Sequence, residues 1–294
     1  VARPRKSRSD GAVSRRNSSG VALIAVLWLI GILSLLAATV ATLSMSAHQE
    51  AFGSPGAERL ELVADSAIRL TLLKIIAAPR TRNGTLSLDS QLSLFGASVS
   101  VTIELESGRI DLNAADDDLL FAFFVTNGWT EPQARTLVAR IADWKDADDT
   151  TRPSGAELPE YVVAGKQYGP RNAPFEAVDE LRQVLGAESL QPGLLDSFTV
   201  YTHVAVPSEH AASTRVRAAL AWADAYELGD HPWRQENAGQ PMILSAGDLV
   251  GQVIRIHACA RQAGLQSCRE AVVRPIGQPN SPFQVFLWRS HPSG

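Results

Sequence analysis

Four carboxylates fall within seven positions in Asp143-Trp144-Lys145-Asp146-Ala147-Asp148-Asp149, and Glu157 and Glu160 follow across a loop that carries Pro153 and Gly155. This is the densest acidic cluster in the chain. A hard cation such as Ca²⁺ takes roughly six to eight oxygen ligands, which several carboxylates and carbonyls on a flexible loop can supply. Asp146, Asp148, Thr150 and Glu157 occupy the first, third, fifth and twelfth places of an EF-hand-like register, but the sixth place is Thr151 instead of the turn-forming Gly. Pro153 also stiffens the middle, so an ordinary EF-hand is disfavoured. A solvated acidic loop after a helix is the competing reading, because charge runs usually face water.

Little else in the chain carries reaction chemistry. There is no G-x-S-x-G elbow, Walker loop, G-x-G-x-x-G or H-E-x-x-H, and the six histidines are scattered. No catalytic residue is assigned, and the chain reads as a non-enzyme. Cys259 and Cys268 are the only cysteines. The alternating segments Val250–Ala260 and Ser267–Arg274 flank a turn-like ARQAGLQ, which makes a disulfide across a hairpin one reading and two free buried thiols the other.

The elements that position these groups begin with a basic leader. Residues 1–20 carry six Lys/Arg against Asp10, and Val21–Ser44 then run for twenty-four positions without a charge. A helix of that length, at about 1.5 Å per residue, spans a hydrocarbon core of about 30 Å. The positive leader should stay cytoplasmic and the rest lie across the membrane, a single-pass inner-membrane protein with a periplasmic head. The apolar run is too long for a removable signal peptide. With the whole chain at −4 and the leader at +5, residues 21–294 carry −9, which disfavours nucleic acid as a partner.

Downstream, Leu60, Val63, Ala67, Leu70, Leu73 and Ile76 recur at helical spacing over Ala57–Ile76, and Gly53-Ser54-Pro55-Gly56 predicts a kink or loop before it. Thr85–Phe95 and Ala97–Glu106 alternate around Gly96 as a hairpin. From Arg109 to about Leu195 the pattern turns helical, with Asp116–Thr126, Glu131–Trp144 and Ala177–Leu185 as helices. Extended alternation returns at Phe198–Val206, Gly251–Cys259, Arg269–Pro275 and Phe283–Trp288, and Thr214–Tyr226 reads as a further helix. Strands on both sides of a helical block predict an α+β fold with an all-α insertion.

Taken together, RRNSSG before VALIAVLWLI, then GRIDLNAA, DWKDADDTTRPSGAELPEY, YGPRNAPFEAVDELRQVLG, FTVYT and FQVFLWR resemble general secretion pathway protein K, the minor pseudopilin K family of type II secretion systems. The resemblance covers most of residues 15–290. It implies a pseudopilin fold, a long N-terminal helix packed on an antiparallel sheet, with an inserted α-helical domain. The division would be 1–20 prepilin leader, 21–48 transmembrane helix, 55–108 and 197–290 pseudopilin domain, and 109–196 insertion. It implies cleavage by prepilin peptidase at Gly20–Val21, a place at the pseudopilus tip beside the minor pseudopilins I and J and other type II secretion components, and bound calcium. The ligands carried over are Asp146, Asp148, Asp149 and Glu157, with Asp143. The fifth mature residue is Ala25, where other pilins have a Glu that pairs with a neighbouring amine, and a subunit with nothing above it needs no such partner.

Two other functions compete. Ile110–Ala115 followed by two helices looks like the opening of a helix-hairpin-helix DNA receptor, but Thr126-Asn127-Gly128-Trp129 replaces the expected hairpin and residues 114–150 carry a net −5. A signal-anchored periplasmic hydrolase would use a carboxylate pair or a metal-bound water, and no motif points to one.

Overall fold

A computed structural model of the chain describes residues 27–29, 32, 34, 55–78, 89–188, 190–225, 246–278 and 280–291. The chain divides into two compact units, residues 1–55 and 56–294. In the first, residues 27–29, 32 and 34 are helical. The Gly20–Val21 pair, Ala25 and most of the apolar run Val21–Ser44 lie outside the described residues. Among the described residues no helix is long and apolar enough to cross a membrane.

The second unit is α+β and has two hydrophobic cores. In the first core, helix α1 (Pro55–Ala77) places Leu60, Val63, Ala64, Ala67, Ile68, Leu72 and Ile75 on one buried face. That stripe follows the 3.6-residue period. It packs on a five-stranded antiparallel sheet of β1 (Asp89–Leu94), β2 (Ala97–Leu105), β5 (Ile254–Gln262), β6 (Leu265–Gln278) and β7 (Ser281–His291), in the order β1-β2-β5-β6-β7. Alternate residues of the strands fill the same core: Val101 lies opposite Ala258 and Ile103 opposite Ile256. Each large aliphatic side chain removed from water there contributes about 1.5–3 kcal/mol. Arg269 clamps the helix to the sheet through Asp65 (2.8 Å) and Glu61, and the Trp288 indole N–H donates to Asp65 at 2.8 Å.

Both tight hairpins have the turn chemistry their strands require. Phe95 and Gly96 sit at φ +50° and +80°, and Ala263 and Gly264 at +50° and +81°. Two successive positive φ values match the right-handed twist of the flanking strands. Of the break expected at Gly53–Gly56, only Pro55 and Gly56 are described. Pro55 opens α1, and its fixed φ and missing N–H suit a helix start. Gly53 and Ser54 lie outside the described residues.

The second core is helical. Helices α2 (Asp117–Thr126), α3 (Glu131–Lys145), α4 (Leu158–Val163) and α5 (Thr214–Ala225) surround Leu119, Leu120, Phe123, Phe124, Ile141 and Tyr161. The Asp116 carboxylate caps α2 by accepting the Leu119 N–H at 2.7 Å. Val216, Ala219, Leu220 and Ala223 of α5 belong to this core, which therefore runs past the division expected at residue 196. Ala177–Leu185, expected as an α-helix, forms a 3₁₀ segment at Val178–Gln183, where Leu181 alone is buried. One buried side chain gives an α-helix no face to pack.

The helical part leaves and rejoins the sheet part through a two-strand parallel ladder of β3 (Ile110–Asp111) and β4 (Phe198–Thr199). The extended run expected to Val206 stops there for a local reason. Asp111, fully buried, draws the chain into a turn by accepting the N–H groups of Thr202 (3.1 Å) and His203 (2.8 Å) and the Thr202 hydroxyl (3.0 Å). It also accepts from Asn113 and Ala114.

Candidate metal centre

Helix α3 ends where its acidic run begins. Asp143, fully buried, lies in the last turn, and Asp146 closes the helix by donating its N–H to the Ala142 carbonyl at 3.0 Å. Residues 147–156 then loop back over the helix end, and Glu157 stands just before α4, its own N–H donating to Glu160 Oε2 at 2.8 Å. Aromatic packing supports this arrangement from beneath. Trp144 stacks on Phe175 at 6.1 Å between ring centres and meets Tyr161 at 6.2 Å, while the Tyr161 hydroxyl accepts the Leu185 N–H at 3.1 Å. Asn172, with φ +52°, is fixed beside them by donating its N–H to the Trp144 carbonyl at 3.0 Å.

The resulting electrostatics are unbalanced. Asp143 Oδ2 accepts the N–H groups of Ala156 (2.8 Å) and Arg152 (3.2 Å), but Asp143 Oδ1, Asp146 Oδ1, both oxygens of Glu157 and Asn172 Oδ1 are buried without any hydrogen-bond donor. Glu157 is 1% exposed. Burial, followed by repulsion from Asp143, Asp146, Asp149 and Asp148, pushes its carboxyl up to about 7. Burial likewise raises Asp143 above the usual carboxylate range, with the two backbone donors opposing that rise. Buried acceptors without donors cost free energy, and buried like charges cost more.

Oxygen donors that are acidic, buried and unsatisfied fit a hard divalent cation. Cys and His are absent from the set, which argues against a zinc-type centre. The donors do not form a closed cage: among the described residues no group of three or more His, Cys, Asp or Glu is arranged to hold an ion. The inward oxygens of Asp143, Asp146 and Glu157 are nevertheless the groups that a cation would satisfy.

The five acidic residues expected from the sequence divide into two sets. Asp143, Asp146 and Glu157 supply the inward orphan oxygens. Asp148 and Asp149 sit at the exposed rim, where Asp148 Oδ1 accepts the Thr150 N–H at 2.8 Å and Asp149 Oδ1 accepts from Asn172 Nδ2 at 2.8 Å. Sequence reading missed Asn172, which lies 15 residues beyond Glu157 and reaches the site only because its loop folds back. It also missed Arg152, whose guanidinium lies 3.5 Å from Asp117, Asp143 and Asp146.

Cys259 and Cys268 lie directly opposite in the β5–β6 register and are joined as a disulfide. The α2–α3 hairpin offers no phosphate donors. The N–H groups of Asn127, Gly128 and Trp129 all go to carbonyls of α2, and that of Thr130 goes to Gln133.

The chain is similar to known proteins over part of its length. Residues 105–197 match the family described as "Type II secretion system (T2SS), protein K". Type II secretion system protein K of Pseudomonas aeruginosa is 31% identical over 135 residues, which is 42% of this chain and 40% of that relative. The chain thus matches about two-fifths of the relative's length. A chain of the GspK-GspI-GspJ complex from the type 2 secretion system of enterotoxigenic Escherichia coli shares the fold, with a TM-score of 0.57 at 14% identity over 85% of this chain and all of that one. Over residues 105–197 the chain is thus similar to the type II secretion system protein K family, and its fold is shared with a chain of the GspK-GspI-GspJ complex.

Proposed function

We propose that the protein is a minor pseudopilin acting at the tip of the type II secretion pseudopilus, where it initiates or caps assembly for export of folded proteins across the outer membrane. The observation that carries this reading is the second core. The helical part built on residues 110–223 packs as its own hydrophobic cluster beside the sheet, and residues 105–197, which include most of it, match protein K. Such bulk is hard to stack repeatedly along a thin filament and is accommodated at its end. Ala25, in place of the usual Glu, agrees with a subunit that has no neighbour above it.

In this reading the fold is a pseudopilin fold with a helical insertion, anchored by Val21–Ser44 in the inner membrane with the head in the periplasm. Prepilin peptidase frees Val21. The protein catalyses nothing. Its partners are the minor pseudopilins I and J, in keeping with the complex that shares its fold. The outward face of α1 offers a contact for them: Leu62 and Leu73 are 67% and 59% exposed, eleven residues apart, on the side opposite the sheet. Calcium is the structural ion, held by Asp143, Asp146, Glu157 and Asn172, with Asp148 and Asp149 at the rim. Once bound, it would neutralise the inward oxygens and fix the loop between α3 and α4.

Co-expression of the full chain with prepilin peptidase and pseudopilins I and J tests the assignment. The expected product begins at Val21 and co-purifies with I and J, and Leu62→Glu with Leu73→Glu abolishes co-purification without unfolding the head. A chain that keeps its basic leader, or never associates with either partner, overturns it.

A further inference from the structure

Arg152 projects into the acidic cluster from the same loop that carries Gly155 and Glu157. Its Nε lies 3.5 Å from Asp143 Oδ1, its Nη2 3.5 Å from Asp146 Oδ2 and its Nη1 3.5 Å from Asp117 Oδ2. Each contact is longer than a good charge-assisted hydrogen bond of about 2.7–2.9 Å. The guanidinium is thus suspended among three carboxylates from α2, α3 and the loop, without a bidentate grip on any of them.

The contact with Asp143 creates a conflict. Asp143 Oδ2 is already taken by the Ala156 and Arg152 N–H groups, so Oδ1 is the oxygen it can offer an ion. That is the atom Arg152 Nε faces. The guanidinium and a metal therefore contend for one oxygen. Arg152 reaches neither oxygen of Glu157, both of which lack a donor, so it neutralises the outer side of the cluster and leaves the inner side bare.

We propose that Arg152 is a tethered counter-cation that occupies the mouth of the carboxylate cluster in the metal-free protein and yields to calcium, thereby setting the affinity of the site. The inference rests on the calcium reading above. The loop itself need not move for the exchange, because the Arg152 backbone N–H stays bonded to Asp143 while the side chain, 47% exposed, swings. Its destination adjoins the site: an open groove of about 490 Å³ lined by Asp117, Asp118, Phe121, Arg135, Val138 and Pro153 along with Arg152, in which the Arg135 guanidinium already stacks over the Phe121 ring at 4.4 Å. Asp117 is already in contact and serves as the alternative berth.

The test is calorimetric titration of CaCl₂ into the full chain in detergent micelles, for the wild type, Arg152→Gln, Arg152→Lys, Asp117→Asn and the Arg152→Gln/Asp117→Asn double variant. Removing a half-exposed charge from the ion's surroundings should tighten calcium binding about five- to tenfold. Arg152→Lys, which keeps the charge, should stay within about threefold of the wild type. Asp117→Asn should weaken binding in the wild type and have a smaller effect once Arg152 is gone, a coupling that a double-mutant cycle reads directly. Metal-free Arg152→Gln should melt below the wild type, and the calcium-saturated proteins should melt together. If the wild type binds calcium and Arg152→Gln binds equally or more weakly, Arg152 is a structural support and the competition is wrong while the calcium reading stands. If no protein in the series binds calcium, both fall.

Discussion

Gly155 approaches Asp143 so closely that a Cβ added to it would lie 2.0 Å from Asp143 Oδ2. That oxygen accepts the Ala156 N–H from the adjoining peptide, so the bare glycine backbone is what lets the loop close over the end of α3. Gly155→Ala must push the Asp143 carboxylate out of its place or open the loop. Overpacking of this kind costs about 1–3 kcal/mol, and separating a buried carboxylate from its donors adds to it. Thermal melts with and without calcium should show a lower midpoint and a lost calcium increment. A variant that melts like the wild type and still responds to calcium would refute the arrangement.

Glu157 makes the opposite prediction in the metal-free protein. Its two oxygens have no donor, and four aspartates repel it, so replacing the charge by an amide relieves strain. Glu157→Gln should raise the metal-free melting temperature by a few degrees, about 1 kcal/mol, while abolishing the increment that calcium gives the wild type. Chelator should leave the variant's melting curve unmoved. Loss of stability in the absence of metal would mean that Glu157 has a structural partner and no ligand role.

Asp111 holds the two crossings between sheet and helical parts together. Four backbone N–H groups and the Thr202 hydroxyl converge on its carboxylate, and Ile110 and Leu112 donate to the Ser197 and Thr199 carbonyls at 2.9 Å beside it. Asp111→Ala leaves several donors unsatisfied and should destabilise the head by about 3 kcal/mol or more. Limited proteolysis should then cut between residues 200 and 210 first. An unchanged cleavage pattern would show that the ladder suffices without the carboxylate.

The sheet was legible because its strands bury a periodic apolar face, alternating in β2 and β5. Helix α1 was legible as a helix, but its second half was read one position off: Ile68, Leu72 and Ile75 face the core, while Leu70 and Ile76 are only partly buried and Leu73 is exposed. The hairpin at Gly96 was legible from its glycine between alternating runs. Asp143, Asp146 and Glu157 were legible as acidic groups near a loop, because their proximity is local. Asn172 and Arg152 were not, since their roles depend on how the loop folds back over α3. The short 178–183 segment and the turn after Thr199 were misread because tertiary contacts there override local pattern.

A buried ionic chain behind the sheet sets the acid limit of the head. Arg255 lies between Glu106 (2.5 Å) and Glu270, and Glu270 also accepts from Arg289 at 2.8 Å, which in turn reaches Asp179 of the helical part at 3.2 Å. Burial alone would raise the Glu270 carboxyl, but the charges of Arg255 and Arg289 outweigh it and hold the group below its ordinary 4.5. A carboxyl depressed by folding contributes stability at pH values above its unfolded value, and that stability is lost as pH falls through the lower folded value. The Glu270 share of the stability should therefore be constant near neutrality and be lost as the pH drops below about 4.5. Glu270→Gln leaves buried Arg255 short of one counter-charge and should cost about 3–5 kcal/mol at pH 7, with the gap to the wild type narrowing under acid conditions. Denaturant titrations at pH 7 and pH 3.5 measure both ends of that window. A penalty that stays the same at the two pH values would show that Glu270 acts through packing, and that its charge does not hold the chain of arginines in place.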